Sequence, residues 1–205
     1  MGRALIPELL SQGHQITAVV RPGSQKKVVP GCRTIVGNVL ESETYASEVA
    51  GHDTFVHLVG VPHPSPSKAD EFRRVDLKSA QQAIAAASRS LVRHFVYVSV
   101  AQPAPVMRAY LEVRAACEQT LRESGLNATL LRPWYVLGPG HRWPLLLAPF
   151  YQVAELIPST RESAIRLGLV KLPQMVRALA AAVNSPPQGV RVWSVPDIRR
   201  LAAPA

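Results

Sequence analysis

Apolar positions along the chain change their period several times, and each change marks a new element. Ala4, Leu5, Ile6, Leu9 and Leu10 recur at the spacing of one helical face, which predicts a helix over residues 2–12 closed by Gly13. Short runs rich in β-branched and apolar residues predict strands over residues 16–21, 34–39, 54–61, 95–100, 128–132 and 190–195. Between them the pattern returns to helical spacing over residues 43–50, 71–90, 108–123 and 176–183, with a proline-rich loop at residues 62–66. Strands this apolar suit a sheet covered on both faces, and their alternation with helices predicts an α/β fold with a doubly wound parallel sheet. No internal repeat interrupts this order.

Composition narrows the class. The chain has 205 residues, 47% of them hydrophobic and 18% charged, the balance of a globular domain with a substantial core. A core over residues 1–135 is expected, with a small substrate-side lobe, a returning helix and a strand over residues 136–205 as part of the same domain. The formal charge of +9 raises the question of nucleic acid, but Lys26-Lys27, Arg73-Arg74 and Arg199-Arg200 are isolated pairs with no accompanying motif. No nucleic-acid partner is expected; the partner is a small-molecule substrate. Cys32 and Cys117 form neither a disulfide framework nor a metal cluster, so a reducing, cytoplasmic setting is expected. The six histidines lack metal-ligand spacing, and no metal is assigned. No apolar run approaches the roughly 20 residues that span a bilayer.

Candidate chemistry gathers between Leu91 and Gly140. A strand ends at Ser99, a helix carries Tyr110 and Arg114 one turn apart, and Leu131-Arg132-Pro133 and Gly138-Pro139-Gly140 follow. A phenol of ordinary pKa about 10 exchanges protons poorly near neutrality, and an adjacent cation is expected to favour its phenolate. Ser99 stands where it can orient a substrate oxygen. Bland roles compete with each of these. Tyr110 can be a packed helix aromatic, Arg114 can pair on the surface with Glu118 four residues on, and Ser99 can bond backbone at the strand end.

The Ser99, Tyr110-x-x-x-Arg114 and Arg132-Pro133 series resembles the short-chain dehydrogenase/reductase superfamily, in its extended and atypical branch of epimerase/dehydratase-like and NmrA-like proteins. The resemblance implies a Rossmann-like fold and covers nearly the whole chain. It departs at Arg114, where relatives carry lysine, and a guanidinium is wider and differently directed than an ammonium. It also implies that Gly2 is the third glycine of the phosphate-binding motif, so that the first strand and two glycines are absent. That strand belongs between those starting at Ile16 and Thr54. An amino-terminally truncated core with weakened dinucleotide binding is therefore expected.

The resemblance assigns further residues. Arg21, at the end of the second family strand, suits a 2′-phosphate and so NADP, with NAD as the alternative; Lys26 and Lys27 can assist. Asn38 and Val39 fall where relatives contact adenine, Val59 and Gly60 where backbone passes the ribose, and Pro133 is a further cofactor-binding position. Asp76 occupies a position where asparagine is common. By composition, the aromatic and apolar residues after Pro133 suit an apolar or aromatic ligand, with Arg142 or His141 available for an acid or phosphate, or equally a packing helix that closes the carboxyl-terminal lobe. Two functions follow: an NAD(P)-dependent oxidoreductase or epimerase-like enzyme using Tyr110, Arg114 and Ser99, or a catalytically impaired dinucleotide-sensing or accessory protein. A homodimer is expected by the same resemblance.

Overall fold

The computed structural model describes residues 1–138 and 158–201. The first half runs α1 (Gly2–Ser11), β1 (Thr17–Val20), β2 (Arg33–Val36), β3 (Thr54–His57), α2 and β4 (His94–Val98). Here α2 is one continuous helix whose segments are Ala69–Glu71, a π-helical Phe72–Leu77 and Lys78–Arg89. The second half runs α3 (Arg108–Glu123), β5 (Ala128–Leu131), β6 (Tyr135–Leu137), α4 (Pro158–Arg166), β7 (Leu169–Lys171), α5 (Leu172–Asn184), β8 (Val190–Trp193) and α6 (Val195–Arg200).

Every described strand pair is parallel. β3, β4, β5 and β8 form one sheet in that order, β1 pairs with β2, and β6 pairs with β7. The α/β expectation holds, with helices on both faces. Alternation along β4 divides the core: Phe95 and Tyr97 face α2 and α3, whereas Val96 faces α1 and α5. Ala80, Ala83, Ala86 and Ala87 let α2 lie close to its face, and Met175, Ala178 and Leu179 of α5 pack the other with Leu5 and Leu9.

The sheet is interrupted between β1 and β3, which share no ladder. They are tied at one end, where His52 Nε2 and Thr17 Oγ1 stand 2.9 Å apart. Val19 and Phe55 contribute to one core cluster and Ile16 and Val56 to the other, so both strands border both layers.

Several local expectations change. Residues 43–50 form two 3₁₀ turns, Ser42–Thr44 and Ala46–Glu48, instead of an α-helix. Thr44 Oγ1 donates to the Glu41 carbonyl (2.7 Å) and accepts from the Asn38 amide (2.9 Å), and this local bonding competes with a helical ladder. The strand expected over residues 54–61 ends at His57, because the Val61 amide turns to Asp76 Oδ2 at 2.9 Å. The helix expected over residues 176–183 extends to Leu172–Asn184; Gln174 Oε1 accepts the Lys171 amide and Pro173 lies in the first turn.

Candidate active site

Parallel strands bring their carboxyl ends to one edge, where open α/β sheets bind ligands. Arg21 follows β1, Asn38 and Val39 follow β2, Val59 and Gly60 follow β3, Ser99 follows β4, and Pro133 follows β5. At the start of α1, a Cβ added to Gly2 would touch Leu58 Cδ1 at 3.7 Å, so this helix begins against the outgoing end of β3. The Ala4 and Leu5 amides both reach Met1 O, which leaves the Gly2 and Arg3 amides ahead of the first helical bond.

Arg114 is at the centre of a buried group. Its Nη2 bonds Asp76 Oδ1 at 2.5 Å, and Nη1 bonds both Tyr97 Oη and the Val98 carbonyl at 3.0 Å. Its Nε is buried without a hydrogen-bond partner. The guanidinium carbon is 5.0 Å from the Tyr110 ring centroid, while Phe72 meets that ring edge-on at 5.0 Å. The pairing with Glu118 that helix spacing allows is not formed; Arg114 turns to α2 instead. Gly60 makes room for it, since a Cβ there would lie 2.6 Å from Arg114 Nη2.

Burial pushes the Tyr110 phenol up from its ordinary value, and Arg114 only partly offsets this. The expected stabilisation of a phenolate is therefore outweighed by burial: Arg114 favours it through its charge and a hydrogen bond, and Asp76 opposes it. Burial likewise raises the Asp76 carboxyl, against the pull of Arg114 and the Val61 amide. Tyr97, between Arg114 and Cys117, is held well above its ordinary value by burial first. His57 stacks on Phe95 and Tyr97 and is pushed down to about 3 by burial and by Arg114.

One turn along α3, Glu118 gathers a second cluster. Its Oε1 accepts Ser99 Oγ at 2.6 Å, Gln102 Nε2 at 3.1 Å and Arg132 Nε at 2.9 Å. Its Oε2 accepts Arg132 Nη2 at 2.5 Å and Arg122 Nη2 at 3.1 Å. Burial raises this carboxyl, but the bonds from Arg132, Ser99 and Arg122 together hold it below the ordinary value. Ser99 is thus committed to a carboxylate, and its amide bonds the Leu131 carbonyl at 2.7 Å.

The remaining candidates are dispersed along the edge. Arg21 is exposed and its Nε is 3.4 Å from Ser24 Oγ. Asn38 Oδ1 accepts the Leu40 amide at 3.1 Å, shaping its own turn. Pro133 is buried and its carbonyl accepts the Ala101 amide at 2.9 Å. Tyr110, Arg114 and Gly60 are brought together, while Arg21, Asn38 and Val39 lie at the separate β1–β2 pair. His141, Arg142 and the apolar run at residues 145–151 lie outside the described residues. Sequence reasoning gave no function to Asp76 or Glu118. The available signal at Asp76 was an acid replacing a common asparagine; for Glu118 it was a charged residue on the inner side of α3.

A family model described as NAD(P)H-binding matches residues 1–141. The 4-hydroxy-2-methyl-3-oxo-4-farnesyl-3,4-dihydroquinoline-1-oxide ketoreductase of Stigmatella aurantiaca is 24% identical over 160 residues, 67% of this chain and 48% of that protein. The ceramide reductase of Caulobacter vibrioides is 23% identical over 205 residues, 98% of this chain and 62% of that protein. This chain therefore spans less than two thirds of either relative's length. The solved structure of MoeE5 with UDP-glucuronic acid and NAD aligns at a TM-score of 0.70 and 20% identity, covering 96% of this chain and 77% of that one. That likeness establishes the Rossmann-like fold. Matched by the family model over most of its length, the chain belongs to the NAD(P)H-binding family.

Proposed function

We propose that the protein is an oxidoreductase that prefers NADP and acts on the carbonyl or hydroxyl of an apolar substrate. The observation that carries this reading is the convergence at one edge. Arg21, Asn38, Val59, Gly60, Ser99 and Pro133 all follow parallel strands, α1 starts beside Leu58, and Tyr110 stands over Arg114 close by.

A bound dinucleotide supplies hydride chemistry. The chain's part begins with the Gly2 and Arg3 amides and the positive end of α1, which suit a pyrophosphate. Exposed Arg21 suits a 2′-phosphate, Asn38 and Val39 the adenine side, and the backbone of Val59, Gly60 and Pro133 the path toward the chemistry. Tyr110 exchanges the proton, Arg114 holds the wall beside it, and Ser99 orients the reacting oxygen on leaving Glu118. The reductase names of two relatives, one acting on a farnesylated quinoline and one on ceramide, favour an apolar substrate. The reading includes a cytoplasmic homodimer, for which light scattering is the measurement; no described helix is long and apolar enough to cross a membrane.

Titration of NADPH and NADH followed by calorimetry tests the coenzyme assignment. NADPH is expected to bind about tenfold more tightly, with Arg21→Glu reversing the order; equal affinities would remove Arg21 from the reading. A second reading, a dinucleotide-sensing protein without turnover, draws on the commitment of both Ser99 and Arg114 to buried carboxylates. Oxidation of NADPH by long-chain ketones, lost in Tyr110→Phe, favours the enzyme; binding without turnover favours the sensor.

A further inference from the structure

We infer that Asp76 is a positioning residue that fixes the Arg114 guanidinium beside Tyr110 and offsets its charge there, leaving a phenol that gives a proton and a site set for carbonyl reduction. This rests on the proposed acid-base role of Tyr110.

Arg114 follows Tyr110 by four residues on α3, a spacing from which its donors can reach across the same face. They are shared with other elements. Asp76 takes Nη2 at 2.5 Å, and Tyr97 Oη and the Val98 carbonyl take Nη1 at 3.0 Å. Tyr110 receives the guanidinium against its ring, 5.0 Å from the centroid, together with a hydrogen bond from Arg114. Asp76 Oδ2 accepts the Val61 amide at 2.9 Å, so each carboxylate oxygen has a donor and neither needs a proton. Asp76 reaches this place from the π-helical Phe72–Leu77, and Gly60 leaves the space that the guanidinium fills.

A close ion pair offers a neighbour a dipole instead of a full charge, while burial penalises a phenolate. The titratable groups that act on Tyr110 are Arg114 and Cys117 of its own helix and Asp76 of α2, and Phe72 of α2 adds an apolar edge. In the reducing direction the Tyr110 Oη–H bond breaks and its proton joins the carbonyl oxygen. A bound reduced nicotinamide would supply the hydride that the carbonyl carbon gains and would itself be oxidised. The C=O double bond becomes a C–O single bond with new C–H and O–H bonds, and water reprotonates the phenolate. Alcohol oxidation would need the phenolate at the outset, and the Asp76–Arg114 pair withholds the charge that would favour it.

The test is a pH titration of the full chain labelled with ¹³Cζ-tyrosine, read by NMR without coenzyme, so a failure to bind dinucleotide leaves its outcome intact. Loss of one resonance in Tyr110→Phe assigns the signal. In the wild type it is expected to remain a phenol to above about pH 10, and Asp76→Asn to lower its midpoint by about one pH unit or more. The double variant Asp76→Asn/Arg114→Gln removes both charges and is expected to stay within about half a unit of wild type. Ionisation of wild-type Tyr110 below about pH 9 would overturn the inference, as would an unmoved midpoint in Asp76→Asn. Should Asp76→Asn unfold, the wild type and the double variant decide, and a change beyond about one unit in the latter overturns it.

Discussion

The four-stranded sheet and the β1–β2 pair use similar residues in different settings. In β4 and β5, each with a neighbour on either side, Phe95, Val96, Tyr97, Ala128, Leu130 and Leu131 are all buried at 1% exposure or less. In β1 every residue is only half-buried, and in β2 Arg33 and Val36 are exposed. A strand paired on both edges and covered on both faces loses nearly all its surface, whereas one paired along a single edge keeps part of it. β-propensity alone cannot supply this difference, since Thr17–Val20 is as rich in β-formers as His94–Val98. The candidate site spans both settings: the residues assigned to adenosine follow the loosely covered pair, and Ser99 and Tyr110 lie by the tightly packed sheet.

The contrast is broken most strongly in the core. Phe95 is fully buried and stacks on Phe55 at 5.3 Å, so Phe95→Ala is expected to lower unfolding free energy by about 3–5 kcal/mol. Val19→Ala in β1, already half-exposed, should cost about 1 kcal/mol. Urea denaturation of both variants is the check, and equal losses would mean that the two regions are packed alike.

Acid acts on the same side of the comparison. His57 ends β3 and is pushed down to about 3, and His94 opens β4 and is pushed down to about 4, both by burial first. The fold holds each ring neutral, whereas the unfolded chain protonates it below about pH 6.5. Their stabilising contribution is complete above that value and is lost as pH falls toward the folded values. By pH 5 each should have forfeited about 2 kcal/mol. Unfolding midpoints at pH 7 and pH 5 measure this, and His57→Asn should flatten the slope; an unchanged midpoint would contradict neutral buried rings. Neither histidine belongs to β1 or β2, so mild acid should narrow the gap between the two regions.

The smallest effect falls on the link between them. Thr17→Val removes the hydroxyl that meets His52 Nε2 and should cost about 1 kcal/mol. Amide exchange is expected to quicken in Thr17–Val20 while leaving His94–Val98 unchanged. Equal acceleration in both strands would mean that they open as one unit.

The fold was largely legible because long periodic segments carry strong patterns. The spacing of apolar residues set α3 at Arg108–Glu123, as observed, and placed all six principal strands. Tyr135–Leu137 and Leu169–Lys171 escaped because three residues are too few to show alternation. The π-helical turn in α2 escaped because apolar spacing over six residues does not separate it from an α-helix. At the site, Tyr110, Arg114 and Ser99 were visible as residue types on identifiable elements, but their partners were not. Helix spacing offers Glu118 to Arg114, yet each takes partners from other elements: Asp76 for Arg114, Ser99 and Arg132 for Glu118. Local geometry lists the available neighbours, and burial selects among them.

The side chain that Gly60 lacks has a bearing on how this family member can change over time. A β-carbon at position 60 would lie 2.6 Å from Arg114 Nη2 and 3.2 Å from Asp76 Oδ1, so any larger residue there obliges the paired guanidinium to shift. A shorter cation at position 114 would ease the first of these contacts and leave alanine at position 60 to meet Asp76 Oδ1. Residues 60, 76 and 114, distant in sequence, therefore constrain one another through a single shared space.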